Sequence, residues 1–192
     1  MLRDLVLKNR SYRRFHQDHL ITREELKSFV DLARLSASAA NMQPLKFFIS
    51  ADTRMNEAIF PHLAWAAYLK EWPGPAEQER PSAYIIILGD REITTNFWCN
   101  HGIAAQSILM GAVEKGLGGC MIAAIDKKGL IDTLGIPERY EILLVIALGK
   151  PAEEVTIDQL GPGRDIRYWR DENGIHHVPK RDLEEVVIER FQ

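Results

Sequence analysis

Ser36-Ala37-Ser38-Ala39-Ala40-Asn41-Met42-Gln43-Pro44-Leu45-Lys46-Phe47-Phe48-Ile49-Ser50 runs a loop of small and polar residues straight into an apolar strand. Pro44 removes a backbone donor and biases Gln43 toward extended geometry, so no helix crosses the junction. Upstream, Arg10-Ser11-Tyr12-Arg13-Arg14-Phe15 gathers guanidinium and hydroxyl donors into a short turn. An arginine fork matches phosphate oxygens through parallel charge-assisted hydrogen bonds. Asn41 and Gln43 offer both donors and acceptors to the edge of a pyrimidine-like ring. The two segments together suit an anion with a flat polar head. Plainer readings stay open at this point: Asn41 as a residue capping its own backbone, the basic run as a solvated face.

Working outward, residues 2–8 form a short amphipathic helix with Leu2, Leu5 and Val6 on one side. Thr22-Arg23-Glu24-Glu25 is a capping box opening a helix that carries Leu26, Phe29, Val30 and Ala33 inward and stops near Leu35. Beyond the strand at 45–50, Asp52 caps a helix expected over residues 54–70, with Met55, Ile59, Leu63 and Ala66 inward. Prolines bound an exposed loop over 72–81, a candidate lid. Ala83-Tyr84-Ile85-Ile86-Ile87-Leu88 is a continuous run typical of a strand covered on both faces. A helix over 95–115 is apolar on more than one stripe and rich in small residues, which predicts a buried central helix. Gly116 and Gly118-Gly119 stop it, and residues 120–125 make a strand. Asp126 caps a short helix ending at Gly135, and residues 141–148 form a last strand closed by Gly149-Lys150-Pro151.

From Ala152 the sequence turns polar, with Gly161-Pro162-Gly163 and Asn173-Gly174. Such a tail has little core of its own and must lie over another surface. Strands separated by helices argue for α/β or α+β, and 192 residues suit a single domain over 1–192.

Composition narrows the function. A net charge of −3 argues against general nucleic-acid binding. No segment reaches the roughly 18 apolar residues of a membrane span, and no signal-peptide pattern follows Met1. The two cysteines form no C-x-x-C and sit in apolar surroundings, as buried thiols of a cytoplasmic protein do. Gly116-Leu117-Gly118-Gly119 lacks the last glycine of a dinucleotide fingerprint and follows a helix rather than a strand. There is no P-loop, no G-x-S-x-G elbow and no metal-ligand spacing among the six histidines.

Arg10-Ser11-x-Arg13-x-Phe15 and Ser38-x-x-Asn41-x-Gln43-Pro44 resemble the opening motifs of the nitroreductase family. Gly116-Leu117-Gly118, Gly149-Lys150-Pro151 and Pro179-Lys180-Arg181-x-Leu183-Glu184-Glu185 fit the family in the same order, so the resemblance spans the chain. It implies an α+β fold with a mixed central sheet, in an intertwined homodimer whose exchanged tails, residues 152–192, pack on the partner. It implies FMN bound at the dimer interface, with NADH or NADPH as donor and a small flat molecule, nitroaromatic or quinone, as acceptor. On the matching positions, Arg10 with Lys180 or Arg181 would hold the phosphate and Arg13 would lie near the pyrimidine. Ser38, Asn41 and Gln43 would border the ring, and Met121, Ile122 and Ala123 would present backbone groups to its reactive edge. No protein nucleophile is then needed. Many family members carry an acidic residue where this chain has Ala123. An FMN-binding sensor or storage protein is the alternative.

Overall fold

The apolar run at the centre of the sequence becomes strand β3 (Ala83–Asp90), every residue of which is buried. In the computed structural model, which describes residues 1–160, 163 and 165–189, β3 lies between β2 (Leu45–Ser50) and β5 (Tyr140–Pro151). It is antiparallel to both, with Phe47 opposite Ile87 and Ile86 opposite Val145. The far edge of β5 receives β4 (Gly118–Ile122) and the short β1 (Phe15–His16), completing a five-stranded sheet.

Alternation along β3 builds a core on each face. Ile85 and Ile87 pack with Leu26 and Phe29 of α2 (Arg23–Leu35) and with Ala105 and Ile108 of α4 (Asn100–Glu114). Tyr84 and Ile86 pack with Ile59 of α3 (Thr53–Ile59) and Leu130 of α5 (Lys127–Leu134). A short α1 (Leu2–Lys8) precedes them. The capping box is formed as expected: Thr22 Oγ1 accepts from Glu25 N–H, and Glu25 Oε2 accepts from Thr22 N–H at 2.9 Å.

Several expectations need correction. The five-stranded sheet is antiparallel at each described pairing, not mixed. The parallel strands β3 and β4, joined through α4, are separated by β5, which pairs antiparallel with both. The helix expected over 54–70 stops at Ile59. A 3₁₀ turn, Phe60–His62, carries Pro61, which lacks the N–H to continue the ladder, and Leu63 bridges to Ile125. The helix expected from 95 begins at Asn100, because side chains of Thr94 and Asn96 cap a turn there. Asn96 N–H donates to Thr94 Oγ1 at 3.2 Å and Trp98 N–H to Asn96 Oδ1 at 3.1 Å. Gly118 and Gly119 belong to β4 instead of a helix stop, β4 ends at Ile122, and β5 continues through Gly149-Lys150-Pro151.

The chain divides into two compact units: residues 1–65 with 73–152, and residues 66–72 with those from 153 onward. The second holds a three-stranded sheet in which β8 (His176–Lys180) pairs parallel with β6 (Val155–Gln159) and antiparallel with β7 (Trp169–Arg170). A single turn of helix, α6 (Leu183–Val186), follows. His176 is buried, whereas His177 stacks on Trp169 with ring centroids 4.1 Å apart, so adjacent rings face opposite ways as extended backbone requires. Leu183, Val186, Val187 and Ile188 are exposed. Gly161 and Pro162 of the expected turn lie outside the described residues. No helix is long and apolar enough to cross a membrane among the described residues.

A Cβ at Gly119 would stand 2.5 Å from the Ala147 carbonyl oxygen on β5 and 2.7 Å from Leu109. Gly119→Ala is expected to destabilise the fold by about 1–3 kcal/mol, seen as a lower urea midpoint at unchanged slope. An unchanged midpoint would show that β4 can shift freely against β5.

Candidate functional site

Residues 10–12 leave α1 and run beside β4. Ser11 forms a parallel bridge with Gly119, and Tyr12 N–H donates to the Gly119 carbonyl at 3.1 Å. The Tyr12 ring covers Gly118, where a Cβ would meet its Cδ2 at 2.5 Å. Bare glycine backbone thus brings Arg10, Ser11 and Arg13 alongside the strand that carries Met121 and Ile122. Arg10 Nη2 donates to the Val6 carbonyl at 2.8 Å, serving the C-terminal turn of α1. Its Nε–H is buried with no acceptor. Such an orphan costs about 1–3 kcal/mol, and a guanidinium N–H can be satisfied only by an acceptor.

Arg13 Nη1 donates to the Ser11 carbonyl at 3.2 Å, and the Ser11 residue is exposed. Arg14, between Arg13 and Phe15, is drawn elsewhere into a bidentate pair with Glu79. On β4, Met121 is exposed and Ile122 is in the core; Ala123 lies just past the strand, exposed. β5 holds one edge of β4. Past Gly119 the other edge has no strand partner among the described residues.

The loop of residues 36–43 forms a second set, held from within. Ser36 Oγ lies 2.7 Å from Ser107 Oγ of α4. Ser38 Oγ accepts from Gln43 N–H at 3.0 Å, and Gln43 Nε2 donates to the Asn41 carbonyl at 3.2 Å. Ala40, Asn41 and Gln43 adopt positive φ of 49°, 53° and 50°, so Gln43 is left-handed and not the extended residue expected before Pro44. Non-glycine residues hold that conformation at a cost of roughly 1–3 kcal/mol each, and only where surroundings enforce it.

Asn100 supplies part of that enforcement and escapes sequence reasoning. It is buried, its Oδ1 accepts from Ala39 N–H at 3.1 Å, and its Nδ2 donates to the Phe97 carbonyl at 2.9 Å. A lone amide at the start of an apolar helix was its only signal. The loop borders a cavity of about 220 Å³ whose wall includes Arg34, Ser38, Gln43, Lys46, Phe47 and Asn100. Arg10, Ser11, Arg13 and Asn41 are not on that wall.

Lys180 and Arg181 belong to the second unit. Lys180 ends β8, exposed, and Arg181 pairs with Glu185 on the surface. An exposed pair of this kind contributes about 0–1 kcal/mol, so the guanidinium exchanges partners at little cost. The candidate lid is fastened at its second half. Phe15 N–H donates to the Glu79 carbonyl at 2.9 Å, and Gln17 Oε1 accepts from Gln78 N–H at 2.8 Å. With the Arg14–Glu79 pair, these bonds pin residues 78–80 to β1 and the turn after it.

An antiparallel sheet with helices on both faces defines an α+β fold that solved structures share. A nitroreductase family protein from Streptococcus pneumoniae TIGR4 superposes with a TM-score of 0.68 at 17% identity, covering 99% of this chain and 100% of that one. Residues 6–150 match the nitroreductase family, and the chain belongs to it. An Archaeoglobus fulgidus protein provisionally named NADH dehydrogenase/NAD(P)H nitroreductase is 26% identical over 149 residues, spanning 73% of this chain and 80% of its own length. A Bacillus subtilis protein provisionally named NAD(P)H nitroreductase MhqN is 24% identical over 191 residues, spanning 78% and 88%.

Asn100→Ala strands the Ala39 N–H, while the Phe97 carbonyl keeps the backbone N–H of residue 100 as a donor. It is expected to lower stability by about 1–3 kcal/mol, measured by urea unfolding; no loss would mean that the loop holds its shape without this amide.

Proposed function

We propose that this nitroreductase-family chain is an NAD(P)H-dependent oxidoreductase that uses FMN to reduce a nitroaromatic, a quinone or a similar flat acceptor. The observation that carries the cofactor is the buried, acceptorless Nε–H of Arg10 beside the open edge of β4. A phosphate oxygen meets that need as a charge-assisted acceptor. FMN, when bound, would take hydride from NADH or NADPH and pass it to the acceptor in ping-pong order.

The protein's part is to bind and orient. Arg10 and Ser11 hold the phosphate, and Arg13 brings positive charge to the pyrimidine end, where reduction places negative charge. Ser38, Asn41 and Gln43 border the ring, and backbone groups of Met121, Ile122 and Ala123 lie at its reactive edge. At position 123 this chain offers no carboxylate to that edge. The names of the Archaeoglobus and Bacillus relatives support the nicotinamide donor.

A homodimer with exchanged tails is part of the same proposal. The 220 Å³ cavity at the loop is smaller than the roughly 300–1,000 Å³ of a typical cofactor site. The basic turn and the polar loop are each held by their own contacts, and a second protomer would supply what each lacks. Leu183 and Ile188 are 68% and 67% exposed, and β2 is an edge strand, so apolar tail and open sheet both await cover. In the assembled site Lys180 and Arg181 would form a third side around the phosphate.

Anaerobic addition of NADH or NADPH is expected to bleach the yellow absorbance of the FMN-loaded protein, and a flat acceptor to restore it. FMN that binds and stays oxidised with both nicotinamides would contradict turnover and favour the storage or sensing reading. Arg10→Ala is expected to weaken FMN binding by about 1.5–3 kcal/mol in a fluorescence titration; unchanged affinity would remove Arg10 from the phosphate site.

A further inference from the structure

The first unit holds a second cavity, on the other face of the sheet. It measures about 70 Å³, and its wall includes Gln17, Asn56, Glu57, Arg80, Ser82 and Tyr84. Tyr84 belongs to the core packed around Ile59 and Leu130, whereas Phe47 of the loop-side cavity packs against the α2–α4 core. The two cavities share no lining residue.

Three polar atoms of this wall are buried without a partner: Tyr84 Oη, Ser82 Oγ and Arg80 Nε. Tyr84 is wholly inaccessible and Ser82 is 6% exposed. Native structures seldom leave such atoms unsatisfied. Burial holds the Tyr84 hydroxyl far above the ordinary phenol range, so it stays a neutral donor at any physiological pH.

The neighbours are already committed. Asn56 Oδ1 accepts from Ser50 Oγ at 2.7 Å and Asn56 Nδ2 donates to the Ser82 carbonyl at 2.8 Å. Gln17 Oε1 is taken by the N–H groups of Gln78 and Arg80, which leaves donors at the amide end. The Arg80 guanidinium lies 4.3 Å from the centroid of the Phe60 ring. Glu57 is the only carboxylate on the wall; it is exposed and makes no ion pair with Arg80.

Water could satisfy the two hydroxyls, since each donates and accepts. It does less for Arg80, whose Nε–H is donor-only and belongs to a permanent charge. The wall therefore has an excess of donors and a cation beside them. At about 70 Å³ the cavity suits a small ligand and not a cofactor-sized one. We infer that it binds a small planar oxyanion of the carboxylate or nitrate and nitrite class. Arg80 and the hydroxyls of Ser82 and Tyr84 donate to its oxygens. The ion would sit on a segment already fastened to the turn after β1, through the Gln78 and Arg80 N–H groups on Gln17, and to α3, through the Ser82 carbonyl on Asn56.

The test is thermal unfolding of the full chain in formate, acetate, nitrite and nitrate, with chloride and the bulkier sulfate as controls at matched ionic strength. At least one planar oxyanion is expected to raise the melting temperature saturably, as a ligand of the native state does, with no such rise for chloride or sulfate. Which arm responds separates a carboxylate from a nitrogen oxyanion. Arg80→Gln and Tyr84→Phe are each expected to weaken that response at least tenfold. Tyr84→Phe keeps the ring packing and should be as stable as the parent without the ion, which separates loss of binding from loss of fold. No saturable rise with any of the four ions would overturn the inference. So would a rise that survives both substitutions, or one abolished by Arg10→Ala and kept in Arg80→Gln, which would place the ion at the basic turn.

Discussion

Residues 10–12 lie against β4 where position 118 carries no side chain, while Gly119 lets the strand pack against β5 and α4. The Tyr12 ring occupies the space a Cβ would take at Gly118, and Gly119 sits flush on the Ala147 carbonyl. Beside that contact lies the Ser11–Gly119 bridge, which brings Arg10 to the strand edge. A side chain at Gly118 would displace the Tyr12 ring and with it the basic turn, before it altered any polar group there. The Gly116-Leu117-Gly118 segment is therefore a packing device for the site as well as a connection after α4. Gly116, at φ 73°, turns the chain; Gly118 and Gly119 admit its neighbours.

The loop of residues 36–43 solves a different problem. Its residues must present polar atoms beside an apolar strand without collapsing onto it. Three non-glycine positive-φ residues do this at an energetic cost, met by Asn100, Ser38 and the Ser36–Ser107 contact. Strain of this kind, held in place by hydrogen bonds, is common where a loop must keep one shape for a ligand. The basic turn shows the complementary state, a buried donor with nothing to donate to.

What could be read from sequence was what local chemistry controls. The Thr22–Glu25 box and the Asp126 cap with Gly135 in the left-handed region set the ends of α2 and α5 where expected. The unbroken apolar run of β3 announced two-sided burial. Misreadings came where periodicity outran a local stop, as at Pro61, or where side chains capped a turn inside an apolar pattern, as at Thr94 and Asn96. The role of Asn100 was invisible because Ala39, 61 residues away in sequence, reaches it only in the folded chain. Arg10, Ser11 and Arg13 were legible as a group, and so was the polar loop. That they form two sets held by separate contacts depends on tertiary packing, which spacing does not encode.

The central proposal is a cofactor site completed between two protomers, and mixed dimers test it most directly. Arg10→Ala and Gln43→Ala chains can be co-expressed with different tags and the heterodimer purified. If each site takes its basic turn from one protomer and its polar loop from the other, the heterodimer holds one intact site and one doubly altered site. It should then bind one FMN per dimer with parental affinity. If each site lies within a single chain, both sites carry one defect, and the absence of any parental-affinity FMN would contradict the shared site.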